Sequence, residues 1–175
     1  VGWRGPMLHR AIEQFLTDVY WGDLDFLLVD LPPGTGDVAI SLGQLLPKAY
    51  SLVVTTPQPA ASEVAERSGA IGLQTGQKIL GVVENMSYLM VDGEPKYIFG
   101  SGGGDAVAKK LSEVAGEKVS VLARIPMDEK LREASDNGNP TRDLPDAGGE
   151  LQKLIETISK IPIGLEGKKL KLNLG

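Results

Sequence analysis

The chain has 175 residues, of which 42% are hydrophobic and 23% charged, a composition that suits one soluble domain with a sizeable core. Its net charge of −5 argues against a nucleic-acid surface, and its lack of cysteine excludes disulfides and thiolate metal sites within this sequence. No apolar run approaches the roughly 18 residues that a membrane span needs, and no signal peptide is visible. We therefore expect a cytoplasmic protein without nucleic-acid or membrane partners.

Helical and strand-like patterns alternate along the chain. Apolar residues at helical spacing predict helices over 7–19, 38–46, 60–77, 105–115, 128–135 and 149–161. Apolar runs predict strands over 25–31, 51–56, 79–84 and 119–125. An Asp92-Gly93 pair in the polar stretch 88–99 is typical of a hairpin turn. The alternation predicts an α/β fold with a doubly wound, mainly parallel sheet, and residues 162–175 are expected to form a tail.

The most informative stretch, residues 27–37, reads LLVDLPPGTGD. Asp30 closes the first predicted strand, where ligands of open α/β sheets bind, and its carboxylate can hold a magnesium ion directly or through water. The alternative is an acid that simply faces solvent. Gly34 and Gly36 allow backbone N–H groups to approach an anion. Asp37 either orients a water or caps the next helix, and the two roles are compatible.

Residues 25–37 resemble the Walker B and switch II segment of the Mrp/ApbC branch of the MinD/ParA-type ATPases, relatives of the nitrogenase iron protein. Further similar stretches bring the coverage to roughly residues 1–160, and they lie at 3–7, 53–58, 81–87, 98–104 and 124–128. The resemblance implies a P-loop NTPase fold. It also implies ATP binding and hydrolysis coupled to iron–sulfur cluster assembly or carriage, by a homodimer that serves iron–sulfur apoproteins.

The resemblance also implies roles for individual residues around ATP and Mg2+. Asp30 would hold hydrated magnesium, the Gly34 N–H would contact the γ-phosphate, and Asp37 would orient the attacking water. These roles suit phosphoryl transfer, in which positioning and electrostatics carry most of the catalysis.

Three residues resemble those that recognise the base. Asn85 would hydrogen-bond the adenine edge, since its amide offers a donor and an acceptor, while Pro126 and Asp128 would frame the ring. Taken singly, Asn85 also fits a turn residue after a strand, and Asp128 fits a helix cap. Their common position beyond strands of one sheet favours the nucleotide interpretation.

Two features depart from the family pattern. The sequence contains no G-x-x-x-x-G-K-[ST] phosphate loop, and the glycine run 100–104 has no lysine and is interpreted as a hinge. We therefore expect residues 1–161 to be the C-terminal part of an ATPase domain that lacks its N-terminal strand and phosphate loop, and to be inactive alone. Residues 88–96 also lack the C-x-x-C pair that bridges a cluster in many members, so no iron–sulfur ligands are assigned.

Two other functions compete with this interpretation. A ParA/MinD-type positioning ATPase would need a basic DNA-binding face or an amphipathic membrane helix, and the acidic charge argues against both. A non-catalytic interaction module would have kept the fold and lost the site. Against it stand four intact positions, Asp30, Gly34, Asp37 and Asn85.

Overall fold

The computed structural model describes residues 4–32, 36–138 and 144–161. Within these ranges the helices are α1 (Arg4–Thr17), α2 (Asp37–Leu45), α3 (Pro59–Gln74), α4 (Gly103–Ala115), α5 (Glu129–Asp136) and α6 (Gly148–Ser159). The strands are β1 (Tyr50–Thr55), β2 (Lys78–Glu84), β3 (Leu89–Val91), β4 (Glu94–Lys96) and β5 (Val121–Arg124). The predicted helices are all present within a few residues of their expected bounds. Gly34 and the expected tail, 162–175, lie outside the described residues.

A parallel sheet with strand order β1-β2-β5 forms the centre of the described structure. Val53 lies opposite Val82, and Val82 lies opposite Val121, so the middle strand is apolar along most of its length. Such a strand is expected where both faces of a parallel sheet are covered.

Helices cover the sheet on both faces, because neighbouring residues of one strand enter different cores. Val82 joins a cluster completed mainly from α3 and α4, whose buried members include Ala65, Val107 and Leu111. Val83, the next residue, joins a second cluster with Ala123, Ile125 and Ala147, against which Leu131, Leu151 and Leu154 pack. This arrangement is the doubly wound α/β fold that the sequence predicts.

A two-stranded antiparallel hairpin, β3 and β4, follows the central strand. Asp92 and Gly93 form its turn with φ angles of 52° and 83°. Positive φ at both positions is the geometry that Asp-Gly pairs favour in hairpins, so this prediction is confirmed.

The strand predicted over 25–31 is wrong. The segment 24–32 contains no helix or strand, and it carries a row of partly or fully exposed apolar side chains, with Leu28 at 83% exposure. A strand needs a partner for its ladder hydrogen bonds, and in the described sheet these residues pair with none of the three strands. An apolar run alone is therefore not sufficient to predict a strand.

The helices have ordinary lengths for a globular domain. None of those in the described residues combines the length and apolarity that crossing a bilayer requires.

Candidate functional site at the carboxyl edge of the sheet

Two loops meet beyond the carboxyl ends of the neighbouring strands β2 and β5. The Ser87 N–H donates to the Ile125 carbonyl at 2.9 Å, and the Met127 N–H donates to the Tyr88 carbonyl at 2.7 Å. These bonds place Asn85, just after β2, and Pro126, just after β5, on adjacent loops at one edge. This is the placement expected for them from the parallel sheet, in which carboxyl ends of strands share an edge.

The backbone of Asn85 is hydrogen-bonded to the sheet, whereas part of its side chain is free to bind a ligand. Its N–H donates to the Thr55 carbonyl at 2.8 Å, and its Oδ1 accepts from the Met86 N–H at 2.9 Å. Among the described residues, the Nδ2 of this half-buried side chain donates to no protein atom. Met86 has a φ of 54°, a left-handed conformation that is uncommon for a residue other than glycine. The turn that presents Asn85 is therefore under backbone strain.

Asp128 is committed to helix capping. Its Oδ1 accepts from the N–H groups of Lys130 at 2.8 Å and Leu131 at 3.2 Å, at the start of α5. Its Oδ2 accepts from the Ala147 N–H at 3.3 Å. With both oxygens occupied, Asp128 fixes the shape of the loop behind Pro126, and any role in base recognition would come through that loop.

Asp30 and Asp37 are exposed and take part in no ion pair or side-chain hydrogen bond among the described residues. Asp30 does not end a strand, because segment 24–32 lies outside the sheet. Asp37 is the first residue of α2 and not its cap, which is Gly36. A carboxylate in the first turn of a helix is favoured by the partial positive charge there.

Asp37 also faces α1 across an open cavity of about 300 Å3. The cavity is lined by Gly5, Pro6, His9, Asp37, Ile40, Ser41 and Gln44. The cavity therefore places the first turns of α1 beside the carboxylate that is expected to orient water.

The glycine run 100–104, expected to be a hinge, packs closely at its C-terminal end. A Cβ on Gly103 would lie 2.7 Å from the carbonyl oxygens of both Thr56 and Pro57, beyond the end of β1. A Cβ on Gly104 would lie 3.0 Å from the Cβ of Glu84, at the end of β2. Glycine is needed at position 103 and favoured at position 104, because α4 begins against the sheet edge.

Glu84 is the site residue that sequence analysis missed. It is 1% exposed, and its carboxylate accepts from the Gly104 N–H at 2.6 Å and from the Ser87 hydroxyl. Arg124 lies 3.9 Å away and makes two 2.7 Å bonds to Asp105. The bond to Asp105 is the main reason why the pKa of Arg124 is raised.

An acid at the end of an apolar strand is usually exposed to solvent, so the sequence does not indicate that Glu84 is buried. Its burial depends on Gly104 and Arg124, which lie 20 and 40 positions further along the chain. The signal that could have found it is the serine three residues later, combined with a glycine run.

Solved structures with a similar fold include a nucleotide-binding protein and MinD ATPases. A nucleotide-binding protein of Archaeoglobus fulgidus, solved in complex with ADP and with cobalt present, aligns with a TM-score of 0.64 and 36% identity, over 80% of this chain and 56% of that one. The cell division ATPase MinD of Pyrococcus furiosus aligns with a TM-score of 0.58 and 25% identity, over 90% and 59% of the two chains.

Sequence comparison then gives the family. Residues 1–161 match the family model described as ParA, NUBPL iron-transfer P-loop NTPase. The chain is 57% identical over 177 residues to an iron-sulfur cluster carrier protein of Mycobacterium tuberculosis H37Rv, covering 99% of this chain and 46% of the relative. A protein of the same name from Bacillus subtilis strain 168 is 43% identical, over 73% and 35% of the two chains. The chain belongs to the ParA/NUBPL iron-transfer P-loop NTPase family, and it spans about half the length or less of these relatives.

Proposed function

We propose that this chain is part of an ATP-binding and ATP-hydrolysing iron–sulfur cluster carrier, with the adenine base at the loops that carry Asn85 and Pro126. The observation that carries the proposal is the meeting of these two loops at the carboxyl edge of β2 and β5, where ligands of such sheets bind. The ADP-bound structural neighbour and the carrier proteins among the relatives support it.

The residues present fit a magnesium nucleotide. Asn85 has an amide N–H2 group without a protein partner among the described residues, so it can donate to a base nitrogen, and the second lone pair of its Oδ1 can accept from a base amino group. The exposed carboxylates of Asp30 and Asp37 have no counter-ion among the described residues. Carboxylate oxygen and water are the ligands that magnesium prefers.

Each residue has a distinct part in the proposed mechanism. When bound, Mg2+ neutralises charge on the β- and γ-phosphates. Asp30 would hold the hydrated ion, and the Gly34 N–H would donate to the γ-phosphate. Asp37 accepts a hydrogen bond from the attacking water and orients it. Asn85 selects the base, and the loop of Pro126, shaped by Asp128, packs on the ring.

The phosphate loop would come from a part of the protein outside this sequence, which contains no G-x-x-x-x-G-K-[ST]. Three observations support this proposal. The chain covers 46% of its mycobacterial relative. Strand β1 pairs only with β2 in the described sheet, which leaves its other edge open. Apolar side chains of segment 24–32 stay exposed, as expected if a further strand normally covers them.

The iron–sulfur cluster would be cargo. Because this sequence contains no cysteine, the cluster would bind outside these 175 residues or through ligands other than cysteine. We propose a cytoplasmic homodimer that delivers clusters to apoproteins. A non-catalytic module is a competing outcome of the test below, whereas the acidic net charge argues against a positioning ATPase.

The test uses the full-length protein that contains this chain. We expect it to bind Mg-ATP and to hydrolyse it slowly, and Asp30→Ala to abolish hydrolysis more than binding, because the base contacts remain. Glu113→Gln, on the exposed face of α4, is the matched control and should leave both unchanged. Hydrolysis that survives Asp30→Ala would contradict the assigned role, and a full-length protein that binds no nucleotide would favour the interaction module.

A further inference from the structure

The buried carboxylate of Glu84 has no part in the mechanism above, although it lies directly beside the residue that would read the base. A charge taken out of water is costly unless hydrogen bonds or counter-ions compensate it. Glu84 has three such partners, each from a different segment: the Gly104 N–H at 2.6 Å, the Ser87 hydroxyl, and the Arg124 guanidinium at 3.9 Å.

These partners fix the turn that presents Asn85. Ser87 is 1% exposed and is held at both ends, by the Glu84 carboxylate through its hydroxyl and by the Ile125 carbonyl through its N–H. Between Asn85 and Ser87, Met86 sits at a φ of 54°. That region is disfavoured for a residue other than glycine, so the surrounding contacts must hold Met86 there.

Resting on the proposed function, we propose that Glu84 is the positioning residue for base selection. Through Ser87 it locks the strained turn, and through Gly104 and Arg124 it ties that turn to α4 and β5. The direction of the Asn85 amide, and with it the choice between purine edges, then depends on a carboxylate that never touches the nucleotide.

The competing explanation is that Glu84 only stabilises the fold. The two explanations differ in what they do to selectivity. A purely structural residue lowers affinity for every nucleotide alike, whereas a positioning residue changes the ratio of affinities for two bases. Inosine triphosphate is the suitable probe, because its 6-oxo group replaces the 6-amino donor of adenine and leaves the triphosphate unchanged.

The experiment measures dissociation constants of Mg-ATP and Mg-ITP for the full-length protein and its variants by calorimetry. We expect wild type to prefer ATP by about tenfold, the scale of one well-made hydrogen bond to a base, and Asn85→Ala to remove the preference. Glu84→Gln and Ser87→Ala should each reduce it by at least about threefold. Glu84→Gln should add no further loss of preference in the Asn85→Ala background, since both act on one contact.

The control variant is Glu113→Gln, which makes the same substitution at an exposed ion pair of α4 and should leave the preference for ATP unchanged. Should Glu84→Gln fail to fold, Ser87→Ala keeps the carboxylate and still carries the test. An unchanged ratio in both Glu84→Gln and Ser87→Ala, with Asn85→Ala still losing it, overturns the positioning role alone. A wild-type protein that binds neither nucleotide overturns the proposed function and this inference together.

Discussion

Gly103 begins α4 at a point where the carbonyl oxygens of Thr56 and Pro57 leave no room for a side chain. Its added Cβ would lie 2.7 Å from each oxygen. These atoms belong to the backbone beyond β1 and cannot rotate away, so Gly103→Ala must move the helix or the loop. We expect it to lower the free energy of unfolding by about 1–3 kcal/mol, the usual cost of overpacking, as measured by urea denaturation.

Gly149 provides the matched control, because it also lies in the first turn of a helix, α6, but has nothing within 4 Å of an added Cβ. Gly149→Ala should be neutral or stabilise by up to about 1 kcal/mol, the difference in helix propensity. Equal effects of the two substitutions would show that α4 does not need to pack so closely on the sheet edge.

Some of the site residues could be predicted from the sequence, and one could not. Asn85 and Pro126 follow apolar strands, and parallel topology brings such positions to one edge, so their proximity could be predicted. The importance of Glu84 could not, because its partners come from distant segments and only the folded chain brings them together. Asp128 was open to both interpretations, and its two capping bonds to α5 account for the residue type.

At the level of elements, α6 is joined to β5 by a glutamate. The Arg124 N–H at the end of β5 donates to Glu150 at 3.0 Å, and Lys153 makes a hydrogen bond and an ion pair with the same carboxylate. Burial alone would raise the pKa of Glu150, but the bonds from Lys153 and from the Arg124 N–H outweigh it, and the pKa is lowered.

This shift predicts a pH-dependent contribution to stability. Because the pKa is lowered on folding, ionised Glu150 stabilises the protein fully above the ordinary value of about 4.5, and the contribution is lost as the pH falls through the lower pKa of the folded state. Glu150→Gln should therefore be less stable than wild type at pH 7, and the difference should shrink at acidic pH wherever both remain folded.

Urea denaturation at pH 7, 5 and 4 would measure that difference. Glu113→Gln, whose ion pair with Lys110 is fully at the surface, should stay within about 0.5 kcal/mol of wild type. A Glu150→Gln difference that grows as the pH falls would contradict the assigned direction of the shift.

The elements also show where sequence patterns stop being sufficient. The runs of β1, β2 and β5 predict the right elements because these strands pair with one another in the described structure. The run 25–31 is equally apolar, but strand formation also requires a partner edge, which apolarity cannot reveal. The error there follows from pairing and not from residue propensity.

For the whole molecule, the absence of cysteine makes a direct prediction about the cluster. The 175 residues should hold no conventional four-thiolate iron–sulfur cluster, since such clusters need thiolates that this sequence lacks. Anaerobic reconstitution of the chain with iron and sulfide, followed by absorption spectroscopy and iron analysis after desalting, would measure it. A stable visible absorption band with about four irons for every two chains, as expected for a bridging cluster, would mean that other ligands suffice.

The last prediction concerns the nucleotide, and it depends on which contacts this chain can make alone. Most of the charge of ATP lies on its phosphates, which P-loop enzymes neutralise with a backbone nest and a lysine. This sequence offers a base edge at Asn85 and carboxylates at Asp30 and Asp37, which without that lysine repel a triphosphate. We therefore expect the isolated chain to bind Mg-ATP more weakly than roughly 1 mM, a regime of about 4 kcal/mol or less.

Calorimetry on the 175-residue chain and on the full-length protein, under identical magnesium and salt, provides the comparison. Affinity should be recovered only in the full-length protein, because the phosphate-binding segment is proposed to lie there. Asn85→Ala should weaken binding in that protein and leave the isolated chain unchanged within error. A micromolar dissociation constant for the isolated chain would place the phosphate site inside this sequence, and the proposed division of the nucleotide site between two segments would be wrong.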